Sequence, residues 1–105
     1  ANHMISKVQK EHSMELYDAI LHLQTREECF RFFQDLCSSN ELYAIEQRFD
    51  VAKLLTEGQV YVDISERTKA SSATISRVNR VLNFGTNGLN EILMRMQEEN
   101  EGKKR

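Results

Sequence analysis

Val62-Asp63-Ile64-Ser65-Glu66-Arg67-Thr68-Lys69-Ala70-Ser71-Ser72-Ala73-Thr74-Ile75-Ser76-Arg77-Val78-Asn79-Arg80 is the stretch whose reading settles the fold. Two short helices that cross steeply need a few inward apolar residues at fixed offsets. Ile64 supplies one from the first helix. Ile75 and Val78, three apart, supply two from the second, and Leu82 continues the stripe. Ser65 is small where the helices would approach most closely, and Ala70 can pack in the turn. Ser71 or Ser72 can cap the second helix, because a serine hydroxyl accepts from an amide of the first turn. The turn position that commonly holds a left-handed glycine is Lys69 here, and a non-glycine residue takes that conformation at a modest cost. The pattern predicts a helix-turn-helix over about 60–83, with the second helix running from about Ser72 to Asn83.

The side of that helix opposite Ile75 and Val78 carries Ala73, Ser76, Arg77 and Arg80, and its N-terminal end presents Ser72, Ala73 and Thr74. Small residues permit close approach, hydroxyls donate or accept, and arginine forks onto guanine or holds phosphate. The candidate DNA-facing set is Arg67, Lys69, Ser71, Ser72, Ala73, Thr74, Ser76, Arg77, Asn79 and Arg80. The charge distribution points the same way. Residues 58–85 carry four Lys/Arg against two Asp/Glu, whereas residues 1–57 carry six against ten, within a net charge of -2. Asp63 and Glu66 on the first helix of the motif work against phosphate contact. A solvated helical hairpin used for protein contacts is the competing reading.

Outward from the motif, the chain has no proline and four glycines, and shows no repeat or alternating strand pattern; Gln59-Val60-Tyr61-Val62 is its one β-like patch. Thr25-Arg26-Glu27-Glu28 and Ser38-Ser39-Asn40-Glu41 read as capping boxes. Gly58 and Gly85 read as left-handed helix ends. Six helices follow, at about 10–24, 26–37, 39–57, 60–68, 72–83 and 87–99. Cys29, Phe30, Phe33, Leu36 and Cys37 line the second helix, Leu42, Ile45, Phe49 and Ala52 the third, and Leu89, Ile92, Leu93 and Met96 the last. Leu16, Tyr17, Ile20, Leu21 and Leu23 wrap most of the first helix, which favours burial between two subunits over burial within one. Ala1-Asn2-His3 reads as an expression remnant ahead of a native start at Met4. Residues 4–99 are expected to form a single domain and 100–105 a flexible tail.

Several classes fall away. At 105 residues a single core is small, so a partner subunit would help to bury apolar surface. No apolar run approaches the roughly 20 residues that span a bilayer, and no signal-peptide pattern is present, so a cytoplasmic location is expected. Cys29 and Cys37, eight apart without a CxxC pair, read as two buried thiols rather than a metal or redox site. His12 and His22 stand on the first helix with no nucleophile or carboxylate arrangement, which argues against an enzyme. No cofactor is expected.

The sequence resembles the Trp repressor superfamily, and within it the YerC/YecD group of Trp-repressor-like bacterial proteins. The resemblance runs from about Glu28 to Phe84. It rests on Glu28-Cys29-Phe30-Arg31-Phe32-Phe33-Gln34-Asp35-Leu36-Cys37, on Gln47-Arg48-Phe49-Asp50-Val51-Ala52, on Leu55-Thr56-Glu57-Gly58 and above all on Ala73-Thr74-Ile75-Ser76-Arg77-Val78. It implies an all-α, Trp-repressor-like fold of about six helices, an intertwined homodimer, and a transcriptional repressor reading double-stranded operator DNA at a roughly palindromic site. The resemblance also implies a ligand pocket whose two arginines match Arg48 and Arg77. The residue after the second arginine, glycine in the tryptophan-binding repressor, is Val78 here, and Asp35 replaces an apolar residue. Asp35, Arg48, Arg77 and Val78 therefore read as a vestigial pocket partly occupied by Val78, and tryptophan is not expected as corepressor. A dimeric interaction adaptor of the same fold, or a regulator gated by an unknown small ligand, are the alternatives.

Overall fold

The computed structural model describes residues 12–103. The expected start at Met4, residues 1–3 ahead of it and the predicted beginning of the first helix near residue 10 lie outside the described residues. Six helices and no strand are found among those described: α1 (Met14–Ile20), α2 (Arg26–Leu36), α3 (Ser39–Thr56), α4 (Tyr61–Thr68), α5 (Ser72–Phe84) and α6 (Gly88–Lys103). Among them no helix is long and apolar enough to cross a membrane. The chain divides into two compact units, residues 1–39 and 40–105.

The first unit holds α1 and α2. α1 ends at Ile20 rather than near residue 24, because the chain tightens there. His22 and Leu23 donate backbone hydrogen bonds to the carbonyls three residues back, Ala19 at 3.0 Å and Ile20 at 3.1 Å. The cap of α2 forms as its sequence demands: the Glu28 amide donates to Thr25 Oγ1 at 3.0 Å. The Glu28 carboxylate reaches back one residue further than a capping box requires, accepting from the Gln24 amide at 3.1 Å. Neither helix has a buried residue. Tyr17, Leu21, Phe30 and Leu36 are all exposed, Leu21 at 82%. Cys29 and Cys37 are free and half-buried, not the buried pair expected, and Cys37 is the residue that ends α2 rather than a member of it.

The second unit has a core of Val51, Ala52, Leu54, Ile64, Ala70, Ile75, Val78 and Leu93, against which Phe49, Leu55, Leu82 and Leu89 pack. Ile64, Ala70, Ile75 and Val78 are the inward residues of the helix-turn-helix, as their offsets predict. On α3 the outcome differs from the expected stripe. Ala52 is fully buried and Phe49 partly so, but Ile45 is 41% exposed, while Val51 and Leu54 carry the contact. On α6, Leu93 is buried, whereas Ile92 and Met96 face outward.

α3 stops at Gly58, which has φ 82°. The Gln59 amide donates to Leu54 O and the Gly58 amide to Leu55 O, both at 3.1 Å, the paired bonds that close a helix through a left-handed residue. Gly85 does not play the same part. Its φ is -85° and ψ -156°, so it is not left-handed. It is small for another reason: a Cβ there would sit 2.6 Å from the Val81 carbonyl oxygen. The left-handed residue of that junction is Asn87, with φ 74°. Of the β-like patch Gln59-Val60-Tyr61-Val62, Val60 is extended and caps α4, while Tyr61 and Val62 form its first turn. α6 runs through Asn100 to Lys103, where a tail was expected. A Glu99–Lys103 ion pair at 3.4 Å and a Gln97–Glu101 hydrogen bond at 3.4 Å support its last turns.

Candidate nucleic-acid interface

α4 and α5 are joined by Lys69, Ala70 and Ser71. Lys69 has φ 63° and ψ 13°, the left-handed conformation expected of it despite its side chain. Backbone and short side chains hold it there. The Lys69 amide donates to Ser65 O at 2.8 Å, the Ser65 hydroxyl donates to Ala70 O at 3.0 Å, and the Thr68 hydroxyl donates to Ile64 O at 2.7 Å while accepting from the Ala70 amide at 3.2 Å. Ala70, 2% exposed, then turns inward and fixes where α5 begins. Ser65 is thus small for close approach and also ties the turn shut.

Ser71 is the cap of α5. Its Oγ accepts from the Thr74 amide at 3.1 Å and donates to Thr74 Oγ1 at 3.1 Å. Of the expected DNA-facing residues, Ser71 therefore has its hydroxyl proton engaged within the helix start, and Thr74 keeps its own donor. Ser72, Ala73, Ser76, Arg77 and Arg80 are exposed along α5, Thr74 and Asn79 are half-buried, and Arg67 and Lys69 are exposed on and after α4. Among the described residues, the side chains of Arg67, Lys69, Arg77 and Arg80 make no hydrogen bond or ion pair. Four cations are thus available to an outside partner. Asp63 and Glu66 are exposed on α4. Glu66 shares a shallow pocket of about 320 Å³ with Tyr61, Val62, Ser65, Ser72 and Ile75, which brings it to the N-terminal end of α5.

The second predicted constellation is partly assembled. Arg48, Arg77 and Val78 line one pocket of about 400 Å³ with Ile45, Phe49, Val81 and Leu89. Asp35 belongs to the first unit and is exposed. Val78 is 4% exposed and belongs to the core with Ile64 and Ile75 while also contributing to the pocket lining. The pocket lining is apolar apart from its two arginines. Ile45, Phe49 and Leu89 read in the sequence as helix faces and Val81 carries no signal there, because no local pattern marks which apolar residues from three helices meet.

Two side chains to which sequence reading assigns no role hold the motif from outside. Gln47 Nε2 on α3 donates to Thr68 O at 2.9 Å, and Asn90 Nδ2 on α6 donates to Leu82 O at 2.9 Å. Among the described residues, no group of three His, Cys, Asp or Glu side chains stands close enough to hold a metal ion.

Comparison with known proteins agrees with this geometry. The family model described as Trp repressor protein matches residues 11–97. The uncharacterised protein YerC of Bacillus subtilis is 45% identical over 94 residues, covering 90% of this chain and 90% of YerC. A crystal structure from Staphylococcus aureus, described as a candidate Trp repressor, matches with a TM-score of 0.80 at 44% identity, covering 89% of this chain and 96% of that one. A TrpR-like protein from Eubacterium eligens matches with a TM-score of 0.77 at 42% identity, covering 92% and 96%. With a family model covering most of its length and a relative 45% identical over 90% of it, the chain belongs to the Trp repressor family.

Proposed function

We propose that this chain is a sequence-specific DNA-binding regulator, a repressor that reads a roughly palindromic site as a homodimer. The observation that carries the reading is the two-sidedness of α5. Ile75 and Val78 are locked in the core, while Ser72, Ala73, Ser76, Arg77 and Arg80 stand exposed on the other side. A helix held this firmly can be laid in a major groove with little reorganisation. Dimerisation is supported by the apolar surface of α1 and α2, which have no buried residue, and by Phe84 at 83% exposure. Surface of that kind is what an intertwined partner covers. Selection from a random duplex library tests the whole reading, with a palindromic enriched site as the expected result. Arg77→Ala and Arg80→Ala should each weaken binding to that site by about 1–3 kcal/mol if they fork onto bases. Loss of neither would refute the assignment.

Tryptophan is not the effector in this reading. Val78 adds a β-branched side chain to the pocket lining where the resemblance implies a glycine, and it cannot move without disturbing the core. Titration calorimetry should find no micromolar binding of L-tryptophan; such binding, with a gain in DNA affinity, would refute this. The open pocket between Arg48 and Arg77 supports a second reading, a regulator gated by another small anion. That reading requires a ligand whose binding changes DNA affinity and is lost in Arg48→Ala.

A further inference from the structure

We propose that Gln47 and Asn90 are positioning residues that set the pitch of the helix-turn-helix for base recognition. The inference rests on the DNA-binding reading and deepens it. A helix leaves its last carbonyls without intrahelical partners. In α4 and α5 one such carbonyl each is taken by a side-chain amide from outside the motif. Gln47 on α3 holds Thr68 O, the last residue of α4, and Asn90 on α6 holds Leu82 O, in the last turn of α5. Both bonds are 2.9 Å long and partly buried, and they act from opposite flanks in sequence, one before the motif and one after it. The apolar core fixes the depth to which the two helices sink but resists sliding and tilting weakly, because apolar contact is non-directional. The two amides add the directional component.

The chemistry of Asn90 argues for a role beyond filling space. Its Oδ1 is buried and has no hydrogen-bond partner among the described residues. A leucine has nearly the same shape and would bury no orphan acceptor there. The asparagine thus carries a cost in stability that its donor to Leu82 must offset. That donor touches the helix at the end remote from Ser72 and Ala73, where a small tilt is levered into a larger displacement at the base-reading end.

The test uses the charge-neutral variants Asn90→Leu and Gln47→Leu in the full chain, with Leu93→Ala as a control that weakens the same core without touching either bond. Each protein is assayed at a temperature where circular dichroism shows it fully helical. The reading is the ratio of two dissociation constants, for the duplex enriched by the wild-type protein and for random-sequence duplex. In Asn90→Leu the ratio should fall about tenfold, the scale of one misread base pair, while affinity for random duplex stays within about twofold. Leu93→Ala should keep the wild-type ratio. A ratio unchanged in Asn90→Leu, or lowered equally in Leu93→Ala, overturns the proposal. If Asn90→Leu does not fold, Gln47→Leu carries the same expectation and the same refutation. A wild-type protein with no preference between the two duplexes refutes the DNA-binding reading itself, a result distinct from either failure of the clamps.

Discussion

Replacing Lys69 by glycine should make the protein more stable and a poorer ligand for DNA at the same time. Lys69 sits at φ 63° and ψ 13°, where an L-residue pays about 1–2 kcal/mol for the contact between its Cβ and the carbonyl oxygen. Glycine removes that strain but loses about 0.4–1 kcal/mol through its freer unfolded chain. Nothing else in the turn is expected to change. The bonds that hold it run from the Lys69 amide, the Ser65 hydroxyl and the Thr68 hydroxyl, and none uses the lysine side chain. The balance runs from about zero to about 1.6 kcal/mol with its centre near 0.8, a central rise in Tm of roughly 3–6 °C for a chain of this size. Against DNA the variant lacks one cation beside the N-terminal end of α5. If that cation meets a phosphate, the slope of log K against log salt should fall in magnitude by about 0.9. Lys69→Ala separates the two effects, since it loses the charge but keeps the strained backbone: its slope should match the glycine variant and its Tm should not rise. Thermal melts by circular dichroism and a salt series of binding isotherms make the comparison. A Tm for Lys69→Gly at or below that of Lys69→Ala would refute the argument that strain is held at this residue.

Two further outcomes can be read from stability alone. Ser71→Ala removes the acceptor of the Thr74 amide and should cost about 1 kcal/mol in denaturant unfolding, whereas Ser72→Ala, which makes no cap, should cost little. Gly85→Ala brings a Cβ to 2.6 Å from Val81 O and should destabilise by about 1–3 kcal/mol; a neutral result would mean that the end of α5 yields freely.

The helix-turn-helix was legible in the sequence because its physics is local. Ile64, Ala70, Ile75 and Val78 stand at offsets that two crossing helices impose, Ser71 caps by reaching three residues on, and even the left-handed Lys69 is dictated by the turn between them. α3 was harder. Its apolar residues fall on several sides, so periodicity did not distinguish Val51 and Leu54, which are buried, from Ile45, which is exposed. Gly85 shows how a residue type can be right for a reason other than the expected one: the junction needs a missing Cβ at Gly85 and places its left-handed residue at Asn87. Of the candidate pocket, the two arginines were legible, but the apolar residues that line it with them were not, because they come from three helices. Gln47 and Asn90 were not legible at all. A side-chain amide that finds a carbonyl on another helix leaves no spacing to detect.

The placement of the core has a consequence for the order in which the chain acquires structure. Seven of its eight residues lie between Val51 and Val78, and only Leu93 comes from further along. Contacts this close in sequence close small loops and form early. The amides of α4 and α5 should therefore be among the last to exchange with solvent, and those of α1 and α2, which hold no fully buried residue, among the first. On this reasoning the helix-turn-helix should keep its slow exchange when the protein is diluted, since its core residues come from a single chain.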